Sequence, residues 1–511
     1  MNGLSRRTFL GASGAALAAA SSGRLASAAR AERPNILFLM ADQHRADCVS
    51  ADGNAVIHTP NMDRIASEGV RFRCAYTSTP SCTPARSGLL TGLSPWHHGM
   101  LGYGRVAVEY ENELPRMLRE AGYYTTGIGK MHWHPQRNRH GFHQTILDES
   151  GRVESEGFES DYRKWFRTQA PDLDPDATGI GWNDYRAREY ALPQELHPTR
   201  WTGDVAVKWL RDYDRAEPFL LKVSFARPHS PYDPPARFFR MYEDADIPAA
   251  AVGDWAERNA MRGQKLPYTT PRGDLGAEQV RRSRQGYYGS VSFIDEQIGR
   301  IFAVLEQRGM LENTLILYTT DHGDMLGDHH LWRKTYAYEA SARIPMLLRW
   351  PEGLVAARRG QVLRQPVELR DVLPTFLNAA GVPIEERRFD GRSMLNLARG
   401  KTEGWREVID LEHSRCYWAE NQWTAVTDGR FKYIFWAPTG EQQLFDLEDD
   451  PGELHDLASD PRHRDTVREW RQRLVEHLSE RGEPYVVDGD LGLRPKPMLY
   501  SPNYPRDETE G

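Results

Sequence analysis

The chain has 511 residues, 65 Lys and Arg against 72 Asp and Glu for a net charge of −7, and a 40% hydrophobic content. That length predicts several modules, or one large α/β domain with an appendage, and the apolar share excludes a disordered chain. The mild acidity, with no Lys/Arg stripe, excludes a duplex nucleic-acid binder, and the four cysteines (Cys48, Cys74, Cys82, Cys416) are too few for a disulfide scaffold.

Residues 1–28 read as an address. Ser5-Arg6-Arg7-Thr8-Phe9-Leu10 precedes a weakly apolar Gly11–Ala20 run and then Ala26-Ser27-Ala28. Twin arginines with an A-x-A-like end resemble a twin-arginine export signal. The run is too short and too rich in Ala and Gly to span a bilayer. The expectation is a mature protein without a membrane span, carried by the twin-arginine export machinery to the periplasm or beyond.

From residue 33, continuous apolar runs alternate with helical patterns. The runs are Asn35–Ala41, Tyr123–Gly129, Phe219–Phe225, Leu315–Thr320 and Pro345–Arg349. They read as strands covered on both faces, as in a parallel sheet. Helical spacing falls at Asn61–Glu68, Ala85–Leu90, Leu114–Glu120, Thr202–Tyr213, Val291–Arg308 and Val372–Ala380. The alternation predicts an α/β catalytic domain over 33–390, a mostly parallel sheet sandwiched by helices. Cys48 and Cys74 fall within it and read as small buried thiols, although an oxidising compartment could pair them. Short strands at Val408–Leu411, Thr424–Thr427, Arg430–Phe435 and Gln443–Leu447, with a helix at Thr466–Arg481, predict an antiparallel α+β subdomain over 400–481. The stretch 145–200 and the tail 482–511 carry no clear period and read as a binding loop and an extended wrap.

Ligands of parallel sheets sit beyond the carboxyl ends of the strands. The polar groups that follow the runs are therefore the candidates: Asp42-Gln43, Lys130-Met131-His132, Arg227-Pro228-His229 and Asp321-His322. Between them, Pro80-Ser81-Cys82-Thr83-Pro84-Ala85-Arg86-Ser87-Gly88 predicts a helix that starts near Cys82, with Pro84 in its first turn. The free amides and dipole there favour a thiolate or a bound anion, and Arg86, at i+4, faces the same pocket.

Cys82-Thr83-Pro84-Ala85-Arg86 with Ser87-Gly88-Leu89-Leu90-Thr91-Gly92 resembles the signature of the type I sulfatases, members of the alkaline-phosphatase-like superfamily. The resemblance extends through Asn35–Gln43, Thr59–Gly69, Gly129–His132, Pro228–Pro231, Thr320–Gly323 and Lys334–Glu339. It implies a sulfuric ester hydrolase in which a formylglycine-generating enzyme oxidises Cys82 to formylglycine. The hydrated aldehyde is a diol whose second hydroxyl expels sulfate. The implied metal ligands are Asp42, Gln43, Asp321, His322 and modified Cys82. Oxygen donors suit Ca²⁺, whereas Gln43 and His322, in place of the commoner Asp and Asn, admit Mn²⁺. The resemblance further implies that Arg86 and Lys130 hold the diol and that His132 takes its proton. His229 and Lys334 meet the sulfate and the bridging oxygen, with His229 the acid for the leaving alcohol. Export and the aromatic-rich 145–200 stretch favour a carbohydrate or aryl sulfate. Two other readings stay open on the same residues, a phosphonate monoester or phosphodiester hydrolase and an unmodified binder of sulfated glycans.

His97-His98 and His329-His330 read as turn or unassigned positions. The irregular spacing of His134, His140 and His143 speaks against a second metal.

Overall fold

Both faces of the first strand are apolar, and the fold follows from covering both. The computed structural model describes residues 33–384 and 388–506; the export address expected at 1–28 lies outside the described residues. Strands β1 (Asn35–Asp42), β2 (Gly69–Phe72), β3 (Tyr124–Gly129), β4 (Gln144–Leu147), β5 (Phe219–Pro228), β6 (Thr314–Thr320), β7 (Leu347–Arg349) and β8 (Gln361–Leu363) form one sheet. Its order is β4-β3-β5-β1-β6-β7-β2-β8, parallel throughout except for β7, which runs against both its neighbours.

Seven helices matter for this layer: α1 (Pro60–Ser67), α2 (Cys82–Thr91), α3 (Leu114–Glu120), α4 (Asp161–Gln169), α5 (Pro198–Asp212), α6 (Ala277–Gln307) and α7 (Val372–Ala379). Successive side chains of a strand point to opposite faces. Ile36, Phe38 and Met40 of β1 therefore meet Leu89 of α2, Leu118 of α3 and Phe376 of α7 in one buried cluster. Leu37, Leu39 and Ala41 meet Ile65 of α1, Leu210 of α5 and Ile298 of α6 in another. The predicted α/β sandwich is the observed one.

Strands β9 (Ile409–His413), β10 (Trp423–Thr427), β11 (Phe431–Trp436) and β12 (Gln442–Asp446) make an antiparallel meander, and α8 (Arg464–Leu478) covers one face. Alternation sorts its two sides. Tyr433, Phe435 and Leu444 pack on Trp470 and Leu474 of α8. Ile409, Leu411 and Ile434 pack on Tyr76, Tyr336 and Tyr338 of the larger layer.

Two segments differ from the periodicity reading. The 145–200 stretch holds most of β4 and all of α4, a helix with only Tyr162 and Phe166 buried, whose start is marked by the Ser160 side chain accepting from the Arg163 amide. Helix α6 begins at Ala277 rather than Val291 because its first half buries polar groups, which hide the apolar stripe. There Arg284 bonds to backbone carbonyls and to Asp328, and Gln285 to the Phe239 carbonyl. The tail, expected to wrap, returns to the loop at 99–105: Leu101 N donates to Leu499 O at 2.9 Å, Ser501 N to Gly99 O at 2.8 Å and Arg105 N to Tyr500 Oη at 2.8 Å. Cys48 and Cys74 are free thiols, both buried.

Gly129 ends β3 at φ +90°, with a Cβ position 2.1 Å from the Ser224 carbonyl oxygen. That left-handed bend turns the chain so that Lys130 enters the region beyond the strand ends. Gly129→Ala should therefore cost about 2 kcal/mol or more, as a strained φ combined with a backbone clash. The urea midpoint checks this, and an unchanged midpoint would show that the bend is not required.

Candidate active site

Asp42, Cys82, Asp321 and His322 converge beyond the carboxyl ends of β1 and β6, where one ligand atom from each lies within 4.8 Å of all the others. All four are buried, at 1% exposure or less. β1 and β6 are adjacent and parallel, so the residues that follow them emerge side by side. Cys82 opens α2, and its Sγ lies 3.2 Å from His322 Nε2 and 2.9 Å from Lys334 Nζ. Gln43, at φ +68°, turns its side chain inward, where Oε1 accepts from Lys334 Nζ at 3.1 Å and Nε2 donates to Asp324 at 2.5 Å.

Arg86 projects from α2 between the two carboxylates, with Nε 3.0 Å from Asp321 Oδ2 and Nη2 3.2 Å from Asp42 Oδ2. Its Nη1 donates to the Lys130 carbonyl at 2.8 Å, and Lys130 Nζ lies 2.5 Å from Asp42 Oδ2. These two cations thus rest against the acids, and Lys334 is the one in hydrogen-bond contact with the thiol.

Burial works against charge on Asp42, but Lys130, His229, Lys334 and Arg86 outweigh it and hold the carboxyl well below the usual range. Burial also pushes the Cys82 thiol up, as does Asp42, and Lys334, Lys130 and His322 overcome both to lower it. Burial opposes the charge on His322 while Asp321 favours it, and the net shift is upward. His229 is held well below the ordinary histidine range by burial and then by Lys334 and Lys130. Its Nδ1 lies 3.0 Å from the Ser230 carbonyl, which makes Nδ1 the donor and leaves Nε2 the free nitrogen. Trp182 stacks on this imidazole, centroids 3.9 Å apart.

His132 is buried nearby, with Nε2 3.4 Å from Tyr103 Oη and Arg152 Nη1 bonded to the ring. Burial, Arg152 and Lys130 keep it well below the ordinary range. Glu149, wholly buried, accepts the amides of Met131 and His132 on one oxygen at 2.8 and 2.9 Å, and so fixes that turn. Asp324 accepts from Gln43, from Tyr232 Oη at 2.7 Å and from the Leu326 and Arg333 amides. Sequence reasoning passed over Glu149, Arg152, Trp182 and Asp324. Only Asp324 had a local signal, two positions beyond His322. Three of the other histidines make contacts away from the cluster: His97 meets Asp390 at 2.7 Å, His329 Nδ1 accepts the Gly253 amide, and His140 meets Glu113 at 2.7 Å.

The cluster fits a divalent cation. Asp42 Oδ1 is buried with no hydrogen-bond partner among the described residues, a costly state for a carboxylate oxygen unless something else satisfies it. Asp321 and His322 supply an oxygen and a nitrogen beside it, and the Cys82 Sγ marks where an oxygen of a modified side chain would stand.

The family model described as Sulfatase matches residues 34–382, and one described as N-sulphoglucosamine sulphohydrolase, C-terminal, matches 327–480. The chain is 37% identical to an arylsulfatase of Clostridium perfringens over 91% of this chain and 98% of the relative. It is 33% identical to a choline-sulfatase of Rhizobium meliloti over 84% and 83% of the two chains. Among solved structures, the phosphonate monoester hydrolase of Agrobacterium radiobacter superposes with a TM-score of 0.74 at 26% identity, covering 90% of this chain and all of that one.

Removing Arg86 would leave two buried carboxylates facing each other. Arg86→Leu should lose about 3–5 kcal/mol in chelator, the usual cost of breaking a buried pair from one side. Added Ca²⁺ should recover part of the loss. Urea denaturation in both buffers checks it; equal losses in the two would remove the cation from between these acids.

Proposed function

The chain belongs to the sulfatase family of sulfuric ester hydrolases, and from that premise we propose that it cleaves aryl or carbohydrate sulfate monoesters through Cys82 converted to formylglycine. The observation that carries this reading is the place of Cys82, at the start of α2 and between Lys334 and His322 on the Asp42–Asp321 cluster. The overall change is R–O–SO₃⁻ plus water to R–OH plus hydrogen sulfate. A formylglycine at position 82 would supply a diol, with one hydroxyl to attack sulfur and the other to provide the route for sulfate release. Asp42, Gln43, Asp321 and His322 would hold a divalent cation, Ca²⁺ by the oxygen donors and Mn²⁺ if the His322 imidazole decides, and its charge would lower the pKa of the attacking hydroxyl.

The protein's own groups do the rest. Lys334 and Lys130 offset the charge of the sulfate, and Arg86 keeps Asp42 and Asp321 in place as ligands. His229 presents Nε2 to the substrate side because Nδ1 is spent on Ser230. The two lysines that disfavour its protonation are the ones a sulfate anion would neutralise. The imidazole therefore gains its proton on substrate binding and passes it to the leaving alcohol. His132 serves the proton of the diol, its ring held neutral beside Arg152. Residues 1–28 would direct the chain through twin-arginine export to the periplasm or the exterior, after a formylglycine-generating enzyme has acted on it. Residues 33–390 would form the catalytic domain, with 400–481 as the subdomain and 482–511 as the wrap.

The arylsulfatase and choline-sulfatase relatives support small sulfate esters, and the similarity to a phosphonate monoester hydrolase keeps that substrate as the competitor to assay. Parallel rates on nitrophenyl sulfate and phenyl nitrophenylphosphonate should favour the sulfate; a reversed preference would move the chain to the second reading. The Cys82 peptide should weigh about 18 Da less than its unmodified form, and Cys82→Ala should abolish turnover. An unmodified peptide with no turnover would leave only a binding role.

General acid assistance is worth ~10²–10⁴-fold. His229→Ala should cost that much on an alkyl or sugar sulfate and far less on nitrophenyl sulfate, whose leaving group needs no proton. Equal losses on both esters, with chemistry rate-limiting, would reduce His229 to anion binding.

A further inference from the structure

A second cavity, of about 550 Å³, opens between the loop that follows β1, the start of the sheet at β2 and the Gly429 turn of the antiparallel sheet. It shares no lining residue with the cluster around Cys82. Its volume falls in the ~300–1,000 Å³ range of small-molecule sites. Its wall is cationic. Arg45 and Arg284 are fully committed there, to Asp47, Asp328 and backbone carbonyls. Three other arginines are not.

Among the described residues Arg71 makes one guanidinium hydrogen bond, from Nη1 to Asp52. Arg343 reaches the other oxygen of the same carboxylate at 2.9 Å and Glu339 at 3.1 Å. Among the described residues the Arg73 side chain makes no hydrogen bond or ion pair. One carboxylate therefore serves two guanidinium groups with a third beside it. Glu339 pairs with Arg343 and is shared with Lys432 at 2.7 Å, which Glu453 also meets at 2.9 Å, so the unpaired member of the group is Arg73. Asp52 and Arg71 are mostly buried, with side chains 10% and 16% exposed, and Arg73 stands at the exposed rim of the cavity. Burial lowers the Arg71 pKa, with Asp52 opposing and Arg343 and Arg73 adding to the fall, whereas Asp52, Glu339 and Asp47 outweigh burial and raise that of Arg343. Planar guanidinium forks with free N–H groups match the tetrahedral oxyanions of sulfate and phosphate.

We propose that this cavity is a second anion site, in which Arg71, Arg73 and Arg343 bind a tetrahedral oxyanion, free or as the terminal group of a small ester.

The test is calorimetric titration of the full-length protein with inorganic sulfate and, separately, inorganic phosphate at constant ionic strength. The wild type should show one more binding event than Arg71→Gln/Arg73→Gln. Single Arg73→Gln, an exposed change that leaves the fold intact, should weaken that event several-fold, and the double variant at least about tenfold. The rate on nitrophenyl sulfate should stay within twofold, because neither residue belongs to the catalytic cluster. Whichever anion carries the extra event identifies the source. Identical isotherms for wild type and both variants, with either anion, would overturn the proposal. This outcome is independent of whether Cys82 is modified.

Discussion

A single guanidinium decides where the chemistry can be. Two parallel neighbours, β1 and β6, deliver Asp42 and Asp321 to the same buried place, with carboxylate oxygens within 4.8 Å of each other, where like charges repel by several kcal/mol at a protein-like dielectric. Arg86 lies between them and bonds to both. Because Arg86 sits one turn after Cys82 on α2, the same contact fixes the depth and rotation of the helix that carries the thiol. The sheet, the helix and the cluster are one mechanical unit.

The surrounding polar groups follow from that constraint. Once two acids and a thiol are buried, every further charge there needs a partner or becomes a penalty. Lys130 takes Asp42, Lys334 takes Gln43 and the thiol, and Asp324 collects Gln43 and Tyr232. Glu149 spends an oxygen on two backbone amides, which holds His132 at φ +62°, a conformation its own backbone would not choose. Such a network contributes little net stability and much geometric definition, because loss of one member leaves another uncompensated. The Arg71–Asp52–Arg343 group shows the opposite economy, with one cation, Arg73, left over beside it.

The central strands were legible because a double-sided layer demands an uninterrupted apolar run, and Asn35–Ala41 and Leu315–Thr320 are such runs. The residues that close the cluster were legible for a related reason, since polar groups directly after a buried strand have few places to go. Periodicity failed where burial is polar. The first half of α6 buries Ser283, Arg284 and Gln285, and each solves its hydrogen bonds with distant carbonyls that no local pattern announces. Trp182 lies on a long loop with no regular element of its own, so its stacking on His229 is set by tertiary packing alone. Arg152 is similar: nothing around Gly151-Arg152-Val153 marks it as a neighbour of His132.

The contact between Arg105 and Tyr500 joins groups 395 positions apart. The loop at 99–105 also carries Tyr103, which touches His132, and Gly104, whose amide donates to the Thr83 hydroxyl at the head of α2. Synthesis runs from the amino end, so this loop emerges from the ribosome long before the segment that clamps it. A nascent chain could assemble both sheets and still lack the clamp on one wall of its cleft. A frameshift or premature stop codon after about position 495 would spare the hydrophobic layers and strike that wall, making the last few codons before 506 as consequential for the cleft as those around Tyr103.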